Sequence, residues 1–245
     1  MKYTLEICSF NIQSALVAEK AGAHRVELCD SPVEGGTTPS IGCIRQVKEK
    51  VSIPVYPIIR PRAGNYFYDD DEFEIIRRDI EVCKQSGCEG ISVGVQLISG
   101  DIDVERMKEI VGWAYPMEVT CNRVFDAAPD PMKALEELIA CGCSRILTSG
   151  QKSSAPQGTA LIRKLIEVAD NRIIIMPGAG IRSDNIAELA RETGATEFHT
   201  SARKVLNNPV LFQNPQVLDN GDVYLANENE IKAIIDIMKG VPNNN

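Results

Sequence analysis

The stretch Ala21-Gly22-Ala23-His24-Arg25-Val26-Glu27-Leu28-Cys29 contains the pattern that decides the fold of this chain. Gly22 ends a helix-like segment, because glycine enters the left-handed conformation without a Cβ clash. The apolar run after it predicts a β-strand, and that strand ends in a reactive side chain, Cys29. Three further stretches with the same features are centred on Gly87, Gly142 and Gly194. A helix end followed at once by a strand is typical of an α/β protein.

The four glycines predict eight strands. They lie about two αβ units apart, at about 25 to 30 residues a unit, so they mark every second strand. With the strands between them, the predicted set is 3–8, 24–29, 53–60, 90–95, 117–122, 144–149, 172–177 and 196–201. We therefore expect a (β/α)8 TIM barrel with its chemistry at the carboxyl ends of the strands. An open doubly wound sheet is the alternative, although no G-x-G-x-x-G follows the first strand.

The composition favours one cytoplasmic domain. The chain has 245 residues, 44% of them hydrophobic, and no linker-like segment divides it, so we expect residues 1–245 to form a single domain. Its eight cysteines fall inside predicted strands and helices, and we expect them to be reduced. We expect neither a leader segment nor a membrane span, because no apolar run is long enough. The net charge of −8 disfavours nucleic acid as a partner.

The first two strands carry carboxylates and thiols on one face. Side chains alternate along a strand, so Glu6 shares a face with Cys8, and Glu27 shares one with Cys29. If that face lines the barrel, the two carboxylates are buried and need counter-charges, which arginines on the second and third strands can supply. Two interpretations stay open. The group is either an ion-pair plug that fills the barrel, or a polar pocket in which a carboxylate acts as a general base.

The run Arg60-Pro61-Arg62 predicts an anion site. Pro61 restrains Arg60 to an extended conformation, so two guanidinium groups leave one strand in a fixed relation that suits a carboxylate or a phosphate. Small residues after the later strands resemble the phosphate-binding loops of many barrels. These further candidates are Ser149 after the sixth strand, Gly178 and Gly180 after the seventh, and Ser201 after the eighth.

Three more candidates lie at strand ends. Arg123 and Asp126 fall in the loop after the fifth strand, where barrel enzymes place catalytic groups. Asp126 either orients Arg123 or caps the next helix. His199, near the end of the eighth strand, is a proton carrier, a metal ligand or a hydrogen-bonded core residue. His24 lies at the opposite end of its strand and is expected to be structural.

Several runs together resemble the CutC family. They are LEIC at 5–8, AHRVELC at 23–29, EGGTTPS at 34–40, IRPR at 59–62, LTSG at 147–150, MPGAGI at 176–181 and EFHTSAR at 197–203. The resemblance covers about residues 3–203 and implies a cytosolic TIM barrel, commonly dimeric, that binds Cu(I) in copper homeostasis. Cys8 and Cys29 match the family's strand-end cysteines, and Cu(I) prefers thiolate ligands.

One departure from the family stands at the end of the fifth strand. Where the family usually has T-F-H-R-A-F-D, residues 120–126 read T-C-N-R-V-F-D, so Asn122 replaces the histidine. An amide cannot act as an acid or base near neutral pH. Two functions remain in view. One is Cu(I) binding at the two cysteines. The other is an isomerase, lyase or hydrolase that acts on a small anionic metabolite, with or without a phosphoryl group. The candidate proton-transfer residues of this enzyme are Glu6, Glu27 and His199.

Residues 204–226 show no long helical or strand pattern. A final helix is expected from Asn227, with Glu230 completing a capping box. A connection of this length inside a compact domain is more often a lid, a binding loop or a subunit contact than an idle excursion. We expect it to cover the barrel mouth or a neighbouring subunit of a homodimer.

Overall fold

A computed structural model describes residues 3–206, 209–212, 214, 216 and 222–241. Eight parallel strands form a nearly closed barrel: β1 Thr4–Ser9, β2 Arg25–Leu28, β3 Val55–Ile59, β4 Gly90–Val93, β5 Glu118–Cys121, β6 Arg145–Thr148, β7 Ile174–Pro177 and β8 Glu197–Thr200. The helices around it are α1 Ile12–Ala21, α2 Ile41–Lys50, α3 Asp70–Gln85, α4 Val104–Ala114, α5 Pro131–Cys141, α6 Thr159–Ala169, α7 Ile186–Thr193 and α8 Glu228–Gly240. The predicted TIM barrel is confirmed.

The strands follow one another around the barrel in the order β7, β6, β5, β4, β3, β2, β1, β8. Parallel ladders join every neighbouring pair in that order. Within the described residues no ladder joins β7 to β8, although the two strands lie side by side. β1 is shifted by one residue from its predicted bounds, and the other seven strands are shorter than predicted at one or both ends, where the chain already belongs to the loops.

The recurring glycines end helices as the sequence predicts. Gly22, Gly142 and Gly194 cap α1, α5 and α7 in the left-handed conformation, and Gly87 adopts it two residues beyond the end of α3. After Gly22, the N–H of Ala23 donates to the Ala18 carbonyl at 3.0 Å, which turns the chain directly into β2. The start of α3 is capped by a side chain, because the Asp69 carboxylate accepts from the Glu72 N–H.

Apolar side chains fill the layer between strands and helices. Each helix turns one buried face to the barrel, as amphipathic helices do. Fully or nearly fully buried members of these faces are Ile44, Val47, Ile76, Ile80, Met107, Ile110, Leu135, Leu138, Ile162 and Leu165. None of the helices in the described part of the chain is long and apolar enough to cross a membrane.

The amino-terminal half of the barrel interior is an ion-pair plug. Arg25 pairs with Glu197 at 2.6 Å, and Arg145 pairs with Glu197 at 3.2 Å and with Glu118 at 2.7 Å. The Tyr56 ring lies between the two guanidinium groups, with centroid distances of 4.9 and 5.3 Å. An ion-pair plug was one of the two interpretations of Glu6 and Glu27, but the carboxylates that form this one are Glu118 and Glu197.

Two expectations about the C-terminal part are wrong. The connection after β8 contains two strands, β9 Arg203–Leu206 and β10 Val223–Ala226, which pair antiparallel and form an arm on the barrel. Much of the segment between them lies outside the described residues. The capping box at α8 does not form. Asn227 accepts from the Asn229 N–H, whereas the Glu230 carboxylate accepts from the Ser183 N–H at 2.7 Å and so ties α8 to the loop after β7.

The tight contact at the start of β4 gives a stability prediction. A Cβ on Gly90 would overlap the Tyr56 ring, whereas one on Gly112 of α4 would meet no atom within 4 Å. Gly90→Ala should lower the free energy of unfolding by about 1 to 3 kcal/mol, the usual cost of overpacking. Gly112→Ala, the matched control, should raise it by about 0.5 to 1 kcal/mol through helix propensity. Urea unfolding measures both, and equal effects would contradict the role given to Tyr56.

Candidate functional site

The carboxyl ends of β1, β2 and β8 bring the predicted site residues together. The strand register sets Cys8 beside Glu27, and sets Glu6 between Arg25 and His199. Their side chains point into the barrel above the ion-pair plug, where Glu6 and Glu27 are at most 4% exposed. The alternation of side chains along each strand therefore predicted correctly which of them share a face.

Cys8 and Cys29 form a pair of free thiols. Their Sγ atoms lie 3.6 Å apart, and Cys29 Sγ lies 3.5 Å from Glu27 Oε2. Within the described residues this is the one group of three potential metal ligands whose donor atoms lie within 4.8 Å of one another. Cys29 is buried, whereas Cys8 is partly exposed at the barrel mouth. The pair can therefore be reached from solvent through Cys8.

His199 stands between the two carboxylates. Its Nδ1 lies 2.7 Å from Glu6 Oε1, and its Nε2 lies 3.7 Å from Glu27 Oε2. Glu6 thereby fixes the orientation of the ring and directs Nε2 toward Glu27 and Cys8. His24, the other histidine, accepts a hydrogen bond from the Leu5 N–H at 3.0 Å, which confirms its structural role.

The electrostatics favour the charged forms of His199, Glu6 and Cys8, and the neutral thiol of Cys29. Burial alone would lower the pKa of His199, but Glu27, Cys8 and Glu6 raise it well above its usual value. Burial would raise the pKa of Glu6, yet Arg25 and His199 lower it to about 2. The hydrogen bond with Cys29 lowers the pKa of Cys8, and burial raises that of Cys29 well above its usual value. Cys8 is therefore the nucleophilic member of the thiol pair.

Asp126 orients Arg123. Asp126 Oδ2 accepts from Arg123 Nε at 2.9 Å, and the same carboxylate accepts from Thr148 Oγ1 at 2.6 Å. It does not cap the next helix, because Asp130 caps α5. Ser149 is fully buried, and its Oγ accepts from Arg123 Nη2 at 3.0 Å. The structure therefore places Ser149 behind Arg123 as a support, rather than at a surface where it would touch an anion.

The paired fork expected from Arg60 and Arg62 does not form. Arg60 is buried, and its Nη atoms donate to the carbonyls of Glu34, Gly36 and Gly64. Arg62 points away from the barrel mouth, where it pairs with Glu72 at the start of α3. Neither arginine pairs with the buried carboxylates of β1 and β2. The extended Pro61 segment sends the two side chains to different surroundings, so Arg62 leaves the site.

Two adjoining cavities occupy the barrel mouth. The outer cleft, of about 830 Å³, lies over β7 and β8 and is lined by Gly180, Ser183, Thr200, Ser201 and Arg203. The inner pocket, of about 390 Å³, is lined by Glu27, Ile58, Arg60, Tyr66, Asn122 and Asp126. Both are also lined by Cys8, Gly35, Arg123 and His199. Cys8 thus lies where the two cavities meet, with Cys29 buried behind it.

The predicted glycine and serine candidates have different places. Gly180 and Ser201 line the outer cleft, as expected of residues that bind an anion there. Gly178 lines neither cavity. A Cβ on it would overlap Leu147 and crowd His199, so its lack of a side chain makes room for the imidazole.

Several cavity residues were missed at the level of sequence. Tyr66 lines the inner pocket and packs on the Arg60 guanidinium at 5.1 Å. Arg203 lines the outer cleft and lies 4.5 Å from the centroid of the Tyr224 ring. Gly35 belongs to the EGGTTPS run, which was noted only as a family block. That run follows the predicted end of the second strand, where barrels place their functional residues, so the sequence could have predicted that Gly35 lines the site.

The chain matches the model of the CutC family over residues 3–204. It is 47% identical over 203 residues to a family protein CutC of Chromobacterium violaceum, covering 83% of this chain and 82% of that protein. It is 44% identical over 215 residues to the human copper homeostasis protein cutC homolog, covering 88% of this chain and 79% of that protein.

Solved structures agree on the fold. The CutC structure from Streptococcus agalactiae has a TM-score of 0.77 and 32% identity, covering 81% of this chain and 98% of that one. Phosphoribosylanthranilate isomerase from Thermotoga maritima has a TM-score of 0.60 and 13% identity, covering 97% and 99%, which shows the barrel fold alone. The family match, the relatives above 40% identity and the thiol pair at the barrel mouth lead to one conclusion: this chain belongs to the CutC family.

Proposed function

We propose that this protein binds Cu(I) as its cargo at Cys8 and Cys29, and so contributes to copper tolerance or trafficking. The observation that supports the proposal most directly is the Sγ separation of 3.6 Å between two free thiols on neighbouring strands. Thiolates are the soft ligands that Cu(I) prefers. The names of the human and mouse relatives, which are copper homeostasis protein cutC homologs, point to the same metal.

The residues present fit a thiophilic ion. The lowered pKa of Cys8 favours the thiolate that metal binding requires. Glu6 holds the His199 ring as carboxylates commonly hold metal-bound histidines. Because the pKa of His199 is raised well above its usual value, its Nε2 becomes a third donor only when the metal displaces the proton. Glu27 adds a harder oxygen donor at the same place. A donor set with two thiolates, a nitrogen and an oxygen also suits Zn²⁺, so the competing metal must be part of any test.

We infer a cytoplasmic location from the cysteines. All eight lie in the described part of the chain, and all are free. Free thiols at this density are maintained by the reducing cytosol. A protein that handles Cu(I) through a thiol pair needs that environment, since oxidation would convert its ligands into a disulfide.

A second candidate function is favoured by the outer cleft. Its volume of about 830 Å³ is large enough for a metabolite, and three arginines, Arg123, Arg182 and Arg203, line it together with the carboxylates of Asp184 and Glu230. His199 lies at its floor, backed by Glu6 and Glu27, which are groups that can move protons. We therefore propose, as the alternative, an isomerase, lyase or hydrolase for a small anionic, phosphorylated metabolite held near Gly180 and Ser201.

The arm, together with the described residues between its two strands, supports the proposal that a second copy of the chain is a partner. Leu211 is 103% exposed and Phe212 is 77% exposed, and Val205, Val210 and Val223 are more than half exposed. Apolar side chains clustered on one surface usually mark a protein contact. We propose that the arm packs against the neighbouring subunit of a homodimer.

Anaerobic titration against a chromophoric Cu(I) chelator tests the first proposal. The wild type should bind one equivalent, and Cys8→Ala/Cys29→Ala should lose more than about 100-fold in affinity, since removing ligands costs more than removing the partners that orient them. Cys43→Ala removes a thiol of α2 outside the site and should bind like the wild type. Equal affinity in the wild type and the double variant would remove these thiols from the proposal, and displacement of Cu(I) by equimolar Zn²⁺ would contradict the choice of metal.

Thermal denaturation with sugar phosphates tests the proposal of an enzyme that binds a phosphorylated metabolite in the outer cleft. Millimolar ribose 5-phosphate should raise the Tm of the wild type by several degrees, because a ligand of the folded state stabilises it by mass action. Ser201→Asp should abolish the rise by repelling the phosphate. Ser52→Asp adds the same charge in the exposed loop before β3 and should leave the rise intact. Similar rises in all three proteins would place the binding outside the outer cleft.

Light scattering tests the homodimer. The wild type should have twice the mass of the chain, which is 26.9 kDa. Leu211→Asp/Phe212→Asp should weaken dimerisation at least about tenfold, because two buried charges in an apolar contact cost more than the 1.4 kcal/mol that a factor of ten represents. A wild type of monomeric mass, or a variant that dimerises as tightly as the wild type, would show that the arm is not the interface.

A further inference from the structure

The amide of Asn122 has an unused donor in the inner pocket. Asn122 is 3% exposed and lines that pocket at the end of β5. Its Oδ1 accepts from the Val124 N–H at 3.0 Å, which fixes the orientation of the amide and leaves Nδ2 as the free end. No acceptor for Nδ2 exists among the residues that the structure describes. A buried donor without a partner costs free energy, and a bound acceptor would recover it.

The backbone of Gly94 lies directly behind this amide and leaves just enough room for it. A Cβ on Gly94 would overlap Asn122 Oδ1 and the Val124 side chain, so no larger residue fits behind the amide. The close backbone of the residue after β4 and the hydrogen bond from Val124 together hold the side chain rigidly. The donor is therefore preorganised, which lowers the entropic cost of binding a ligand to it.

Arg60 supplies an unpaired positive charge to the same pocket. It is 4% exposed, and its Nη atoms donate only to main-chain carbonyls, those of Glu34, Gly36 and Gly64. In the described part of the chain no carboxylate lies within salt-bridge distance of it, and its Nε has no acceptor. Buried charges are normally paired, so this guanidinium is unusual in having no carboxylate partner of its own.

Three carboxylates line the inner pocket, those of Glu27, Glu34 and Asp126. Asp126 pairs with Arg123 at 2.9 Å. Glu27 lies 3.7 Å from His199 Nε2 and accepts from the Cys29 thiol at 3.5 Å. Glu34 is exposed to solvent, and in the described part of the chain none of the three lies within salt-bridge distance of Arg60. Arg123 lines both cavities and uses Nε and Nη2 for its contacts with Asp126 and Ser149, so its Nη1 remains for a ligand.

We propose that the inner pocket binds one small oxyanion, a carboxylate or a phosphate, that accepts hydrogen bonds from Asn122 Nδ2 and Arg123 Nη1 and neutralises Arg60. The pocket volume of about 390 Å³ suits a compact ligand. This site is distinct from the outer cleft and needs no copper. Because Cys8 also lines the pocket, the anion lies beside the thiol pair. Asn122 is thus a binding residue for which no proton transfer is required.

Thermal denaturation of metal-free, reduced protein tests the site. One arm uses acetate and malonate, the other uses inorganic phosphate, and chloride at matched ionic strength is the reference. At least one oxyanion should raise the wild-type Tm by about 5 to 10 °C once it reaches about 100 times its dissociation constant. The arm that responds identifies the ligand as a carboxylate or a phosphate. No rise with any of the three anions would overturn the proposal.

Asn122→Asp is the decisive variant. It keeps the oxygen that caps Val124, so the local fold is retained, but it replaces the donor with a negatively charged oxygen. The rise in Tm should be lost, and the affinity should fall at least tenfold. Asn171→Asp makes the same change at an exposed position before β7, at the opposite end of the barrel, and should respond like the wild type. An undiminished rise in Asn122→Asp would show that the anion binds elsewhere.

Cys29→Ser separates this site from copper binding. Cys29 lines neither cavity, so the substitution removes a proposed metal ligand but leaves the lining of the inner pocket in place, and the oxyanion response should be unchanged. A failure of the copper proposal would appear only in the chelator titration, whereas a failure of the oxyanion proposal would appear only here. Loss of the oxyanion response in Cys29→Ser would contradict the independence of the two sites.

Discussion

The carboxylate of Glu6 joins the two halves of the barrel interior. It accepts hydrogen bonds from Arg25 on one side and lies against His199 Nδ1 on the other. Arg25 in turn belongs to the plug with Glu197, and His199 belongs to the site at the mouth. A charge buried this deeply is tolerated only when it is paired, so each of these groups depends on the others for its position. The stability of the barrel and the geometry of the site are therefore maintained by the same pairings.

The order of the strands could be predicted from the sequence because its signals are local. A glycine after a helix and an apolar run after the glycine are both decided within a few residues, as at Gly22 and Gly142. The arm after β8 gave no such signal. β9 is exposed throughout and β10 is only partly buried, so they lack the buried, alternating face that reveals a strand, and their pairing is between distant segments.

The site was predictable in part for a related reason. Alternation along a strand fixes which residues share a face, and this was enough to group Glu6, Cys8 and Cys29. Beyond a strand end the periodicity no longer applies. Arg62, two residues after Arg60, turns to Glu72, and Glu230 prefers the loop after β7 to its own helix end. These choices depend on partners that are remote in the sequence.

The missing ladder between β7 and β8 has a mechanical consequence. Elsewhere in the barrel, neighbouring strands can separate only if backbone hydrogen bonds break. At this seam no ladder joins the two described strands, although Thr200 Oγ1 donates a hydrogen bond to the Ile181 carbonyl at 2.8 Å just beyond β7. The loops after β7 and β8 form the walls of the outer cleft, so a change in the width of the cleft would leave the remaining seven strand pairings intact. The barrel is a split ring, closed by ladders around its circumference and open beneath the outer cleft.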